Sequence, residues 1–190
     1  MAEVLLFHHA QGLTPGVRAF ADELRGEGHT VHTPDLYDGH TFDSLEAGLA
    51  YSDRIGVEEI IERGARAVTD APAELVYVGF SLGVLPAQKL AQTRPGARGA
   101  VFVHSCLPSS YFGSWPSPVP VRVHAMEADR LFTDEGDADA ARALVDEAAD
   151  GELYLYPGDR HLFADSSLPS YDAGGAALLL DRTLAFLGSR

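Results

Sequence analysis

The sequence predicts an α/β fold, a mostly parallel central sheet with helices on both faces. Three observations carry this. Short strands and helices alternate along the whole chain, the strands are apolar runs without polar alternation, and 190 residues suit one layered domain around one core. Val4–Phe7 is a continuous apolar run ending in His8 and His9, the pattern of a strand buried on both faces. Turn signals at Gly12, Pro15 and Gly16 precede Val17, Phe20, Ala21 and Leu24 at helical spacing, and Gly26 and Gly28 stop that helix. Thr30–Thr33 reads as a second strand closed by Pro34. The polar segment 35–56 reads as a connection with room for one short helix. Val57, Ile60, Ile61, Ala65 and Val68 share one face and predict a helix over 57–68. Leu75–Val78 is the next strand, leading through Gly79–Gly83 into a helix over 84–93. Ala100–Val103 and Val121–Ala125 follow as strands, separated by the Pro-rich loop 107–120. A helix over 138–149, a strand over 153–156 and a final amphipathic helix over 176–187 complete the series. No repeat, low-complexity tract or linker interrupts it, so residues 1–190 read as one domain.

Composition narrows the function classes. Fourteen Lys+Arg against 28 Asp+Glu give a net charge of −14, which repels phosphate backbones and anionic membranes, so neither nucleic acid nor a membrane is an expected partner. Cys106 is the only cysteine, which excludes an intrachain disulfide and a Cys-rich zinc site. Residues 1–9 lack a basic n-region with a cleavable apolar run, and Ala176–Leu180 is far short of the ~20 residues of a membrane helix. A cytoplasmic location is expected. Of the eight histidines, His8 and His9 are adjacent on a strand and point to opposite faces, and no H-x-x-x-H pair lies on a predicted helix. No metal site is expected: His8, His104 and His124 read as hydrogen-bonded structural histidines, and His29, His32 and His40 as solvated loop residues.

In a parallel sheet the reactive groups collect beyond the carboxyl ends of the strands. There Gly79-Phe80-Ser81-Leu82-Gly83 sits between a predicted strand and a predicted helix, matching the G-x-S-x-G nucleophile elbow in its required setting. Small residues two positions on either side of Ser81 let strand and helix pass closely, and the helix N-terminus directs N–H groups at charge developing near Ser81. A serine needs a base and the base an orienting acid. Asp129 follows the strand 121–125 and His161 follows the strand 153–156, giving the order Ser, Asp, His. Asp129 could instead cap a helix beginning near Asp134, with Glu127 or Asp159 as the acid.

These residues lead to a resemblance. Val4 to Gly12, Thr33-Pro34-Asp35-Leu36-Tyr37, the elbow, and Tyr156-Pro157-Gly158-Asp159-Arg160-His161-Leu162-Phe163 together resemble the dienelactone hydrolase family of the α/β-hydrolase superfamily, across nearly the whole chain. The resemblance implies a minimal α/β-hydrolase fold without a separate cap domain. It also implies an oxyanion hole from the backbone N–H groups of Ala10 and Leu82. The family's well-known members carry cysteine where this chain has Ser81, and glutamate where it has His9, so His9 is expected to line the site instead. They hold an anionic substrate with an arginine four residues after the catalytic histidine. Here that position is Asp165, which favours neutral esters or lactones.

The expected activity is a serine hydrolase cleaving a small carboxylic ester, lactone or thioester through an acyl-enzyme on Ser81, with His161 as base and Asp129 orienting it, and without a cofactor. The alternatives are a non-catalytic hydrolase-fold binding module and an acyltransferase using the same three residues. Tyr37, Tyr111, Phe112, Trp115, Leu162 and Phe163 lie in predicted strand-end loops and are candidate pocket residues together with His9. Trp115, in its Pro-rich loop, is the candidate lid. Cys106, which has no elbow around it, reads as a buried inert thiol.

Overall fold

The structure, a computed structural model, describes all 190 residues. Six strands, β1 (Glu3–Phe7), β2 (Thr30–His32), β3 (Leu75–Phe80), β4 (Ala97–Val103), β5 (Val121–Met126) and β6 (Gly151–Tyr156), form one sheet in the order β2-β1-β3-β4-β5-β6, and every neighbouring pair is parallel. Seven helices connect and cover them: α1 (Pro15–Gly26), α2 (Leu45–Ile55), α3 (Val57–Arg66), α4 (Val84–Thr93), α5 (Arg130–Thr133), α6 (Asp137–Glu147) and α7 (Ala173–Gly188).

The apolar strand runs are explained by cover on both faces. Alternate residues of β1 and β3 enter different cores: Val4, Leu6, Val76 and Val78 pack with Val17, Phe20 and Leu24 of α1 and Leu179 and Phe186 of α7. Leu5, Phe7, Leu75 and Tyr77 pack on the opposite face with Ile60 of α3, Val84 and Leu90 of α4 and Leu144 of α6. Helix starts follow local chemistry. Thr14 accepts from the Val17 N–H with Pro15 in the first turn, and Asp172 caps α7 through the Gly175 N–H.

The sheet order reverses around β1: the chain steps from β1 out to β2, then returns to place β3 on the other side of β1. The crevice at that reversal lies between the carboxyl ends of β1 and β3, where Phe7 is level with Gly79. No connection forms a separate cap domain, and no helix is long and apolar enough to cross a membrane.

Most expected elements are present with ends moved by a few residues. The largest difference lies in 35–56, where α2 is a full 11-residue helix. Its N-cap is Ser44, whose side chain accepts from the Ala47 N–H; only Gly48 and Ser52 are fully buried on it, while Tyr51 and Ile55 pack half-buried against the core, so its inward stripe is only weakly apolar. A second short helix, α5, starts at Arg130, four residues before the start anticipated near Asp134.

His124 shows what core burial does to an ionisable group. It stacks on Tyr154 with ring centres 4.9 Å apart, its Nδ1 hydrogen-bonds the Tyr156 hydroxyl at 2.8 Å, and its Nε2 has no partner. Burial lowers its pKa to about 3. Between that value and the unfolded value near 6.5, the unfolded chain binds the extra proton. Stability from the neutral ring is therefore complete above about pH 6.5 and falls by roughly 1 kcal/mol per pH unit as the pH drops toward 3. Thermal melts of the wild type and of His124→Phe, which keeps the stacking, should diverge in slope below pH 6.5, the wild type losing stability faster.

Candidate active site

Ser81 sits at the end of β3 with φ +49, in the left-handed region that a non-glycine residue enters only under constraint. The two glycines of the motif permit it. A Cβ on Gly79 would lie 2.6 Å from the Gly83 carbonyl oxygen, and one on Gly83 would overlap the Phe7 carbonyl oxygen and lie 2.7 Å from that of His8. Strand β3, the turn 81–83 and the end of β1 thus close on one another through bare backbone. Gly83→Ala should cost about 3 kcal/mol through this overlap, lowering the melting temperature by roughly 6–12 °C. An unchanged melt would mean that the β1 end can move aside.

Around Ser81 the predicted residues come together. The Ser81 hydroxyl lies 2.9 Å from His161 Nε2, and His161 Nδ1 lies 2.7 Å from Asp129 Oδ2. A carboxylate can only accept, so Nδ1 carries the imidazole proton and Nε2 is left to accept from Ser81. Asp129 is 1% exposed and does two things: Oδ2 faces His161, while Oδ1 accepts from the Leu131 N–H at 3.1 Å and caps α5. The structure thus places Asp129 both against His161 and at the N-cap of α5, which starts earlier than the helix expected near Asp134. Glu127 and Asp159 are exposed.

The loop after β1 is held from several sides. The His8 Nδ1–H donates to the His9 carbonyl at 2.8 Å, and the Gly12 N–H donates to the same oxygen at 3.0 Å. The peptide N–H on the other side of that carbonyl belongs to Ala10, and it donates to no group of the protein. His8 is itself fixed, since its Nε2 accepts from the Leu36 N–H at 2.9 Å and Tyr37 packs edge-on against its ring at 5.0 Å. Asp35 closes the turn beneath, accepting from the Tyr37 and Gly39 N–H groups. The Pro-Asp-Leu-Tyr segment therefore props the Ala10 loop. Helix α2 covers that loop at Gly48, where a Cβ would overlap the Ala10 carbonyl.

Ser81 and His161 open onto a cavity of about 290 Å³. Leu82, Leu85, Leu107 and Leu131 wall it, α2 adds Leu45 and Leu49, and His104, Ser105, Glu135 and Asp137 form its polar side. Of the expected pocket residues, none lines it. His9 is fully buried, its Nε2–H donating to Asp165 Oδ2 at 2.7 Å and its Nδ1 accepting from the Gln11 N–H at 3.2 Å. Asp165 is equally buried, held by His9, Thr14 and Ser167, and does not line the cavity. Tyr37, Leu162 and Phe163 are core residues, because large apolar groups in loops above a sheet are drawn under them. Trp115 is no lid: 4% exposed, it packs on Phe102 and its indole N–H donates to the Val119 carbonyl. Tyr111 is 57% exposed, and neither it nor the neighbouring Phe112 reaches the cavity.

His104 departs from expectation differently. It is 1% exposed, has φ +71, and neither ring nitrogen has a hydrogen-bond partner. Its ring lies 5.3 Å from that of His161 and 4.8 Å from that of Phe163, and burial drives its pKa well below the usual histidine range. Burial likewise pushes the Cys106 thiol up, leaving it protonated and inert. The lining residues that the sequence reading does not single out for the pocket sit close to those it does: Leu85 follows the elbow, Leu131 follows Asp129, and His104, Ser105 and Leu107 leave β4.

The dienelactone hydrolase family model matches residues 1–190. Among solved structures, a dienelactone hydrolase-like promiscuous phosphotriesterase from metagenomic libraries superposes with a TM-score of 0.73 at 20% identity, covering 100% of this chain and 86% of that one. A protein of the α/β superfamily from Xanthomonas campestris pv. campestris is matched over 100% of both chains, with a TM-score of 0.67 and 20% identity. A cold-adapted esterase from an Arctic intertidal metagenomic library gives a TM-score of 0.65 at 16% identity, covering 98% of this chain and 82% of that one. Comparison with curated protein sequences returned no match.

Proposed function

The chain belongs to the dienelactone hydrolase family and is an ester-cleaving hydrolase, and from that premise we propose that it is a serine hydrolase working through an acyl-enzyme on Ser81. The observation that carries this reading is the Ser81–His161–Asp129 relay, with 2.9 and 2.7 Å contacts at the rim of an apolar cavity. Residues 1–190 serve as one hydrolase domain.

Each step has a group to perform it. His161 Nε2 takes the hydroxyl proton as Ser81 Oγ attacks the ester carbonyl, and Asp129 stabilises the imidazolium that forms. Charge builds on the carbonyl oxygen, for which the unpartnered Ala10 N–H and the Leu82 N–H in the turn 81–83 are the donors. Collapse breaks the bond to the leaving alcohol, which takes the proton from His161. Water then attacks the acyl-serine with His161 again as base, returning the hydroxyl and releasing the acid. None of these steps needs a metal or an organic cofactor.

The cavity's leucines and its volume of about 290 Å³ fit a short apolar acyl group in an ester, lactone or thioester. No arginine or lysine lines it, while Glu135 and Asp137 do. A p-nitrophenyl hemisuccinate should therefore be cleaved at least about tenfold less efficiently than p-nitrophenyl butyrate, and Glu135→Gln should narrow the gap. Equal kcat/KM for the two esters would remove the argument for neutral substrates. The reading as a whole is tested by intact mass after fluorophosphonate treatment: one adduct is expected on the wild type, and no adduct under conditions where a reference serine esterase is fully labelled would overturn it.

A further inference from the structure

A buried imidazole with no hydrogen-bond partner is costly, and such a group calls for an explanation. His104 has two such nitrogens beside a second imidazole and a buried carboxylate. One donor atom each from His104, His161 and Asp129 lies within 4.8 Å of the others. Two imidazoles and one carboxylate with a position open to a cavity form the donor set of a four-coordinate zinc site. Tetrahedral binding needs donors about 3.3 Å apart, so the Asp129–His161 pair, now at 2.7 Å, would part slightly and His104 would swing inward. The cavity, which both His104 and His161 line, supplies the open side.

We propose that His104, His161 and Asp129 bind one zinc-class divalent cation, and that this ion turns the enzyme off. The chemistry of His161 links the two statements, the second of which rests on the serine-hydrolase reading. In the metal-free enzyme the imidazole proton is on Nδ1 and the Nε2 lone pair faces Ser81. An ion coordinating Nδ1 displaces that proton to Nε2, leaving the ring neutral. Nε2 then carries a hydrogen where it must accept one, and Ser81 loses its base. No oxidation or group transfer is involved, and removal of the ion restores the original tautomer.

Co²⁺ is the probe for binding, because its tetrahedral complexes absorb visibly where the hexaaqua ion scarcely does, and Zn²⁺ is the probe for inhibition. Both are added to untagged protein. The wild type is expected to bind one Co²⁺ with a tetrahedral visible spectrum, displaced by Zn²⁺. His104→Phe keeps the ring packing on Phe163, and His104→Asn keeps a side chain tolerant of positive φ; each should weaken metal affinity by about 30-fold or more. Zn²⁺ should inhibit the wild type reversibly, with chelator restoring activity, and the inhibitory concentration should rise in each variant in step with its Co²⁺ affinity. Absence of a tetrahedral spectrum in the wild type, or equal affinity in both folded variants, overturns the site. A bound ion without loss of activity overturns the switch. The spectral measurement needs no turnover, so it decides the metal site even in a preparation without esterase activity, a result that would count against the serine mechanism instead.

Discussion

Ser81→Ala is expected to lower kcat by about 10⁶-fold and to abolish the fluorophosphonate adduct, while leaving the melting temperature within a degree or two of the wild type. The size of the kinetic effect follows from the unit character of a nucleophile–base–acid relay: without the hydroxyl, His161 and Asp129 have nothing to activate, and what remains is binding and oxyanion stabilisation. The small thermal effect follows from where the strain is held. The turn at φ +49 is fixed by the close backbone contacts of Gly79 and Gly83, not by the serine hydroxyl. Serine and alanine carry the same Cβ there and bear the same backbone cost. The two measurements must therefore separate. A variant that loses activity together with several degrees of stability would point to a structural role for Ser81, and an adduct persisting on Ser81→Ala would place the nucleophile elsewhere.

The strand-end rule makes the three candidate residues of the relay legible, because each follows an apolar run that can be recognised without tertiary information: β3 before Ser81, β5 before Asp129 and β6 before His161. The cavity was not legible for a related reason. Aromatic residues in loops look like ligand contacts, yet Tyr37, Trp115 and Phe163 are so apolar that they complete the core instead. The actual wall is built of leucines, which are common along the chain and carry no mark of their position. His9 and Asp165 stand out in the sequence as departures from the family pattern, but their pairing spans 156 positions and neither lines the cavity. The segment 35–56 reads only as a connection with one short helix, because the fully buried positions of α2 are Gly48 and Ser52, and the apolar residues it turns inward, Tyr51 and Ile55, are only half-buried. The orphaned nitrogens of His104 are a property of three-dimensional surroundings alone.

Asp129→Asn tests the acid of the relay more sharply than any truncation. Asparagine retains an oxygen able to accept from the Leu131 N–H, and it caps helices as well as aspartate, so α5 and the fold should persist. What changes is the atom facing His161. With Oδ1 committed to the cap, the group beside Nδ1 becomes an NH₂ donor opposite an N–H donor, and the imidazole relieves the clash by moving its proton to Nε2. That nitrogen then faces Ser81 as a donor and cannot take its proton. The expected outcome is a fall in kcat of about 10⁴-fold with KM little altered, slow fluorophosphonate labelling and a melting temperature near that of the wild type. Glu127→Gln and Asp159→Asn, both exposed and outside the relay, should stay within about twofold of wild-type kcat. If either of these matches the loss seen in Asp129→Asn, or if Asp129→Asn retains most of its activity, the orienting acid is not Asp129, and the 2.7 Å contact with His161 would be a structural bond between a helix cap and a histidine.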